Sequence, residues 1–428
     1  MNAWLGLKNL LVDAVDGTTG LIQETQKTST SRTYGLLKQF PALNKTVRTI
    51  EQVEGLGSAI VYGQIRLVNK VVSAGLDTML PMVLAHQAPN QPPATPMRSD
   101  EMGSMRWMRD SAISALNGVF GDSLEQMDNQ LAETMTIRFN GEVLRFHDRE
   151  MMSALAAEGD ELCIFVHGLA CTEWSWNLFS EEQYGHPETN YGTQLRDELG
   201  MACVYLRYNT GLHISENGQA LAELISRLYD QYPRPIKRLV FIGHSMGGLV
   251  SRSACHYGAE AGSPWAEQVR QVVCLGSPHL GAPLEKAGHV LTGILKRFQM
   301  PSTQIPARII DRRSAGIKDL RFGYVVDEDW VGRDPDALFQ NGRTQSVCLP
   351  EARYHYVAST ISKEPTHFMG HLMGDWMVRL RSASGTTTAK DASMPFEEDD
   401  GVVLGGVSHI QLANHPDVYK YLSKWLRN

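Results

Sequence analysis

Four short runs constrain this chain more than anything else in it: LCIFVHG (162–168), ACVYLRY (202–208), RLVFIGHS (238–245) and QVVCLGSPH (271–279). Each is continuously apolar and turns polar at its end. A strand with one face in water alternates apolar and polar residues. A run that is apolar throughout is buried on both faces, as in a parallel sheet covered by helices. Helical patterns separate the runs. In the clearest, Leu221, Leu224, Ile225, Leu228 and Tyr232 share one face of an amphipathic helix. This alternation predicts a doubly wound, mostly parallel α/β domain. Its ligand site is expected beyond the carboxyl ends of the strands. Those ends carry His167, Asn209, Ser245 and the segment Ser277 to Leu280.

At the end of the third run, Gly243 to Gly247 match G-x-S-x-G. Alone the match is weak, because glycine-rich pentapeptides arise by chance. Here RLVFI supplies a strand going in and MGGLVSRSACHYGAE a helix coming out, which is the setting in which such a serine is a nucleophile. A sharp strand-to-helix turn strains the backbone and needs small neighbours. It lifts the hydroxyl out of the sheet and points the helix amides at developing negative charge.

At these residues the chain resembles the α/β-hydrolase superfamily, and within it the bacterial lipases and esterases. FVHGLA, GHSMGGLV, LGSPHLGAP, GDWMVRLRSASG and SHIQLANHPDVY carry the resemblance, from about Leu162 to the C-terminus. Lipases and inositol deacylases that act on GPI anchors form the group it points to. The resemblance implies the chain order Ser, acid, His, and places the acid at Asp375, beyond the strand YHYVAST (354–360). An ordinary capping or surface aspartate is the plainer reading, and Asp399 and Asp400 are reserves. The base implied is His409, the first histidine of H-x-x-x-x-x-H-P. His415 directly precedes Pro416 and suits a helix start. Backbone amides of Met246 and Leu169 are the expected oxyanion donors. His167 is expected to order its loop, His244 to pack away from the site, and His279 to line the site or pack in a loop. No metal or organic cofactor is required.

The chain has 428 residues, and its net charge of −7, without any basic run, argues against nucleic-acid binding. Of six cysteines, Cys163, Cys203 and Cys274 lie in the apolar runs and no C-x-x-C occurs, so reduced thiols and the cytoplasm are expected. Residues 1–87 read as a helical N-terminal extension and 88–99 as a Pro-rich linker, with Pro93 and Pro96 unable to sit inside a helix. Residues 1–100 hold nine Lys/Arg against seven Asp/Glu. They suit peripheral membrane contact, or packing on the catalytic domain or a second subunit. The catalytic domain is placed at 100–428. It begins with a helical stretch from Met102 to Leu131 and a hairpin turning at Asn140–Gly141. Residues 283–350 read as an insertion, either a gating lid or a static cap, in which Arg312, Arg313 and Arg321 face a head group or solvent. The function expected is a serine carboxylic-ester hydrolase acting on acyl or lipid esters. The alternatives are an acyltransferase or thioesterase with the same chemistry, or an inactive hydrolase fold used for binding.

Overall fold

A computed structural model describes residues 99–282, 314–333, 343–344, 346–362, 375, 377–385, 394, 396 and 398–427. The N-terminal extension and most of the 88–99 linker lie outside the described residues. So do the helix expected around Leu291 to Phe298, together with Arg312 and Arg313.

The apolar runs form the middle of one eight-stranded sheet. Its order is β2-β1-β4-β3-β5-β6-β7-β8, with β1 Thr136–Phe139, β2 Glu142–Val143, β3 Glu161–Val166, β4 Ala202–Arg207, β5 Arg238–His244, β6 Val269–Leu275, β7 Arg353–Thr360 and β8 Gly401–Gly405. β3 to β8 pair in parallel, while β1 pairs antiparallel with both β2 and β4. The β1–β2 turn has Asn140 at φ 49° and Gly141 at φ 77°. Positive φ at both positions is what a type I′ hairpin requires.

The helices include α1 Ser99–Gln126, α2 Arg149–Glu158, α3 Tyr191–Leu199, α4 Ile214–Gln231, α5 Met246–Glu260, α6 Ala315–Leu320, α7 Leu380–Ala383 and α8 Pro416–Leu426, with a further single turn at Ser180–Tyr184. Alternate strand residues feed two cores. Leu162, Ile164, Leu239, Phe241 and Val272 face one layer, with Leu221, Ile225 and Leu228 of α4 and Leu249 and Ala254 of α5. Cys163, Phe165, Val240, Ile242 and Val273 face the other, with Leu195 of α3 and Leu422 and Trp425 of α8. Truncating such a residue, as in Leu221→Ala, costs about 2–5 kcal/mol through lost burial and the cavity left behind. All six thiols are free.

The chain divides into two units, residues 1–115 with 288–312, and residues 116–287 with 313–428. The first is described only from Ser99 to Ala115. The second contains the whole sheet.

Candidate active site

Ser245 sits between β5 and α5 at φ 55°, ψ −120°. A non-glycine residue there is strained by roughly 1–3 kcal/mol, and its surroundings hold it in place. The Ser245 amide donates to the Leu275 carbonyl (2.8 Å) and the Ser245 carbonyl accepts from Gly248 (3.2 Å). A side chain on Gly243 would strike the backbone of Gly247 and Gly248, and one on Gly247 would strike the Val166 carbonyl. The glycines therefore let the start of α5 press against the end of β3. Ser245 is 9% exposed.

That packing brings the loop after β3 over the serine. A Cβ at Gly168 would stand 3.1 Å from the Ser245 Cβ. The next amide is Leu169, and Met246 begins α5. Neither amide donates to a protein acceptor among the described residues. The loop is fixed from several sides. The Nδ1–H of His167 donates to the Gly168 carbonyl (3.0 Å). The Tyr208 hydroxyl donates to the His167 carbonyl (2.8 Å), and the Ala170 amide to the Thr210 hydroxyl (3.1 Å). Just beyond, Glu173 and Arg207 form a buried two-pronged ion pair (2.5 and 2.7 Å). Removing one partner of such a pair strands a buried charge, at about 3–5 kcal/mol. Burial pushes the His167 imidazole down to about 4, so its ring is neutral near pH 7. α1 also packs here: a side chain at Gly118 would stand 2.7 Å from the Ala170 Cβ, and one at Gly121 would meet the Asn209 side chain.

Asp375 and His409 lie 34 residues apart, in loops beyond β7 and β8. The His409 Nδ1 is 2.7 Å from Asp375 Oδ2, with both side chains almost completely buried. The other carboxylate oxygen accepts from the amides of Met377 (3.0 Å) and Val378 (2.7 Å). A carboxylate can only accept, so Nδ1 carries a proton, and in the neutral ring Nε2 then carries the lone pair. His409 Nε2 is buried with no hydrogen-bond partner among the described residues. No bond joins it to the Ser245 hydroxyl. The two halves still meet at Gly276, the residue after the Leu275 that holds the Ser245 amide. Gly276 has φ +63°, and a Cβ on it would stand 3.1 Å from His409 Cε1 and Nδ1.

The other candidates are engaged elsewhere. Asp400 is bonded to Arg353 (2.7 Å) and lies 3.3 Å from His355, and Asp399 is exposed. His415 is the N-cap of α8, its Nδ1 accepting from the Asp417 amide (3.2 Å). His279 packs in its loop, its Nδ1 accepting from Arg252 (3.1 Å). Burial first, then the charges of Arg252 and Arg343, holds it well below the ordinary histidine range. Arg321 departs from the solvated or head-group-facing position expected of it. It is buried, with its guanidinium over the Phe322 ring at 4.5 Å, at the end of α6, whose Ala315, Asp319 and Leu320 are buried as well. His244 packs, as expected of it, but it also makes a bond that sequence reading missed, to the carbonyl of His409 (2.9 Å). Among the described residues no group of His, Cys, Asp and Glu is placed to hold a metal ion.

Residues 160–331 match the family model described as the PGAP1-like alpha/beta domain. No curated protein sequence matches the chain. Solved structures similar to it include the lipase BlEst2 of Bacillus licheniformis in mature form, at 17% identity and TM-score 0.37, covering 62% of this chain and 91% of that one. Phospholipase PlaB from Legionella pneumophila shows 14% identity and TM-score 0.35 over 63% of each chain. An esterase from Pyrobaculum calidifontis shows 11% identity and TM-score 0.34, over 62% of this chain and 75% of that one. The parallel sheet, its helices on both faces and the strand-to-helix turn at Ser245 are those of an α/β-hydrolase fold.

Proposed function

We propose that the chain is a serine carboxylic-ester hydrolase, with Ser245 as nucleophile, His409 as base and Asp375 as the group that orients the base. The observation that carries this reading is the buried Asp375–His409 bond, which leaves Nε2 bare, on a loop packed against the strained turn of Ser245. A structural ion pair needs no free nitrogen; a general base does.

In the proposed reaction His409 Nε2 takes the hydroxyl proton as Ser245 Oγ attacks the ester carbonyl. The carbonyl π pair moves onto oxygen, and the amides of Leu169 and Met246 stabilise the oxyanion at the positive end of α5. Asp375 holds the proton on Nδ1 and steadies the imidazolium. Collapse expels the alkoxide, which leaves as the alcohol with the proton from His409. Water, deprotonated by the same nitrogen, attacks the acyl-enzyme carbonyl; collapse breaks the Ser245 Oγ–acyl bond, releases the carboxylic acid and returns the proton from His409 to Ser245 Oγ. Acyl or lipid esters suit the site: half-buried Leu169 follows Gly168 in the loop over Ser245, and Met377, two residues past Asp375, is 36% exposed. No helix among the described residues is long and apolar enough to cross a membrane.

A fluorophosphonate probe tests the reading. The expected result is stoichiometric labelling of the wild type and none of Ser245→Ala, with p-nitrophenyl acyl esters hydrolysed only by the former. An unlabelled wild type would favour the binding-protein alternative.

A further inference from the structure

His244 is the last residue of β5 and directly precedes the nucleophile. Strand alternation sends its side chain to the same face as Val240 and Ile242, the face on which Val407, Leu412 and α8 pack. There the ring is 4% exposed, lies edge-on to Trp176 at 6.4 Å and stands 5.0 Å from the His409 ring, tilted 45°. Its Nε2 is 2.9 Å from the His409 carbonyl oxygen. A carbonyl accepts, so Nε2 carries the proton and His244 Nδ1 is the bare, buried nitrogen without a partner. That nitrogen faces the β3 loop: a Cβ at Gly168 would stand 3.2 Å from it.

The backbone either side of His409 is anchored to other elements, the Gly406 and Val407 amides donating to the Thr360 carbonyl of β7 (2.7 and 3.3 Å) and the Leu412 carbonyl accepting from the Tyr191 hydroxyl (3.0 Å). The Ser408 amide and hydroxyl both bond Gln411 Oε1 (3.0 and 2.9 Å), and Leu412 donates to the Ser408 carbonyl (3.3 Å). Between those anchors these bonds fix the loop only against itself. Among the described residues, the His244 bond is the one that ties the His409 backbone to the strand bearing the nucleophile. Resting on the hydrolase reading above, we propose that His244 is a positioning residue: its Nε2–H, bonded to the His409 carbonyl, sets where the base stands relative to Ser245. A ring held neutral also suits the place, because His409 becomes positively charged during the reaction. Burial first, then the neighbouring His409 charge, pushes His244 down to about 3.

The test compares three variants of the full chain. Glutamine places an N–H donor close to the histidine Nε2 position, asparagine places one near Nδ1, and alanine has none. His244→Gln is expected within about threefold of wild-type kcat. His244→Asn and His244→Ala are expected to lose about 10- to 100-fold in kcat with KM changed less than about twofold, since a displaced base slows chemistry and leaves ester binding intact. Melting temperatures of the three show whether each is folded, and the Gln–Asn contrast still reads if alanine does not fold. Equal loss in Gln and Asn would overturn the proposal and leave a packing role, and so would an alanine variant with wild-type kcat. A wild type that neither labels with fluorophosphonate nor hydrolyses esters would overturn the hydrolase reading instead.

Discussion

The proposed nucleophile and its proposed base are built in opposite ways. The turn at Ser245 is mostly local: the end of β5 with Gly243 and the start of α5 with Gly247 shape it, and contacts to the Leu275 and Val166 carbonyls complete it. The Asp375–His409 pair has no local scaffold. It joins two loops from different strands, and its placement depends on Gly276, the Val378 amide and the His244 bond. A motif stores its geometry in steric necessity, since a side chain on Gly247 would strike the Val166 carbonyl. A pair assembled from distant loops stores its geometry in hydrogen bonds, which can be removed singly while the fold remains.

The largest effect should come from the pair. His409→Ala is expected to fold and to lose at least about a thousandfold in turnover, while His415→Ala keeps most of its activity and loses only helix-cap stability of about 1 kcal/mol. Steady-state kinetics on purified, folded variants checks this. The reverse result would move the base to the α8 cap and dissolve the contrast.

A smaller effect comes from the other side. His167 and His244 flank the turn as neutral rings, pushed to about 4 and about 3 from an ordinary 6.5 by burial first. The unfolded chain therefore binds protons that the folded chain refuses. The stability linked to these rings is fully present above about pH 6.5 and is lost as pH falls from there towards the folded values. Denaturant unfolding at pH 7.5 and pH 5 should show a loss of roughly 2 kcal/mol per histidine. A flat profile over that window would contradict their burial as neutral rings.

This contrast also sets what could be read from sequence. The sheet was legible because strands buried on both faces have nowhere to put a polar residue, and LCIFV, ACVYL, RLVFI and VVCL have none at their centres. The Asn140–Gly141 hairpin was legible from its need for positive φ. Ser245 was legible because its strand, its turn and its helix are contiguous. Asp375 and His409 were reached only through resemblance, since nothing local marks which aspartate or histidine meets another 34 residues away. The His244 bond and the approach of α1 at Gly118 and Gly121 were missed. Alternation along β5 does place His244 on the α8 face, but its partner is a backbone carbonyl, which no side-chain pattern announces.

The most direct measurement is a crystal structure of the full chain carrying a phosphonate on Ser245. The expected result is a covalent Oγ–P bond, one phosphoryl oxygen about 3 Å from the amides of Leu169 and Met246, and His409 Nε2 within hydrogen-bond reach of the adduct while Nδ1 still holds Asp375. A phosphonate on another residue, or a phosphoryl oxygen turned away from both amides with His409 bonded elsewhere, would contradict the convergence of these three side chains on one reaction.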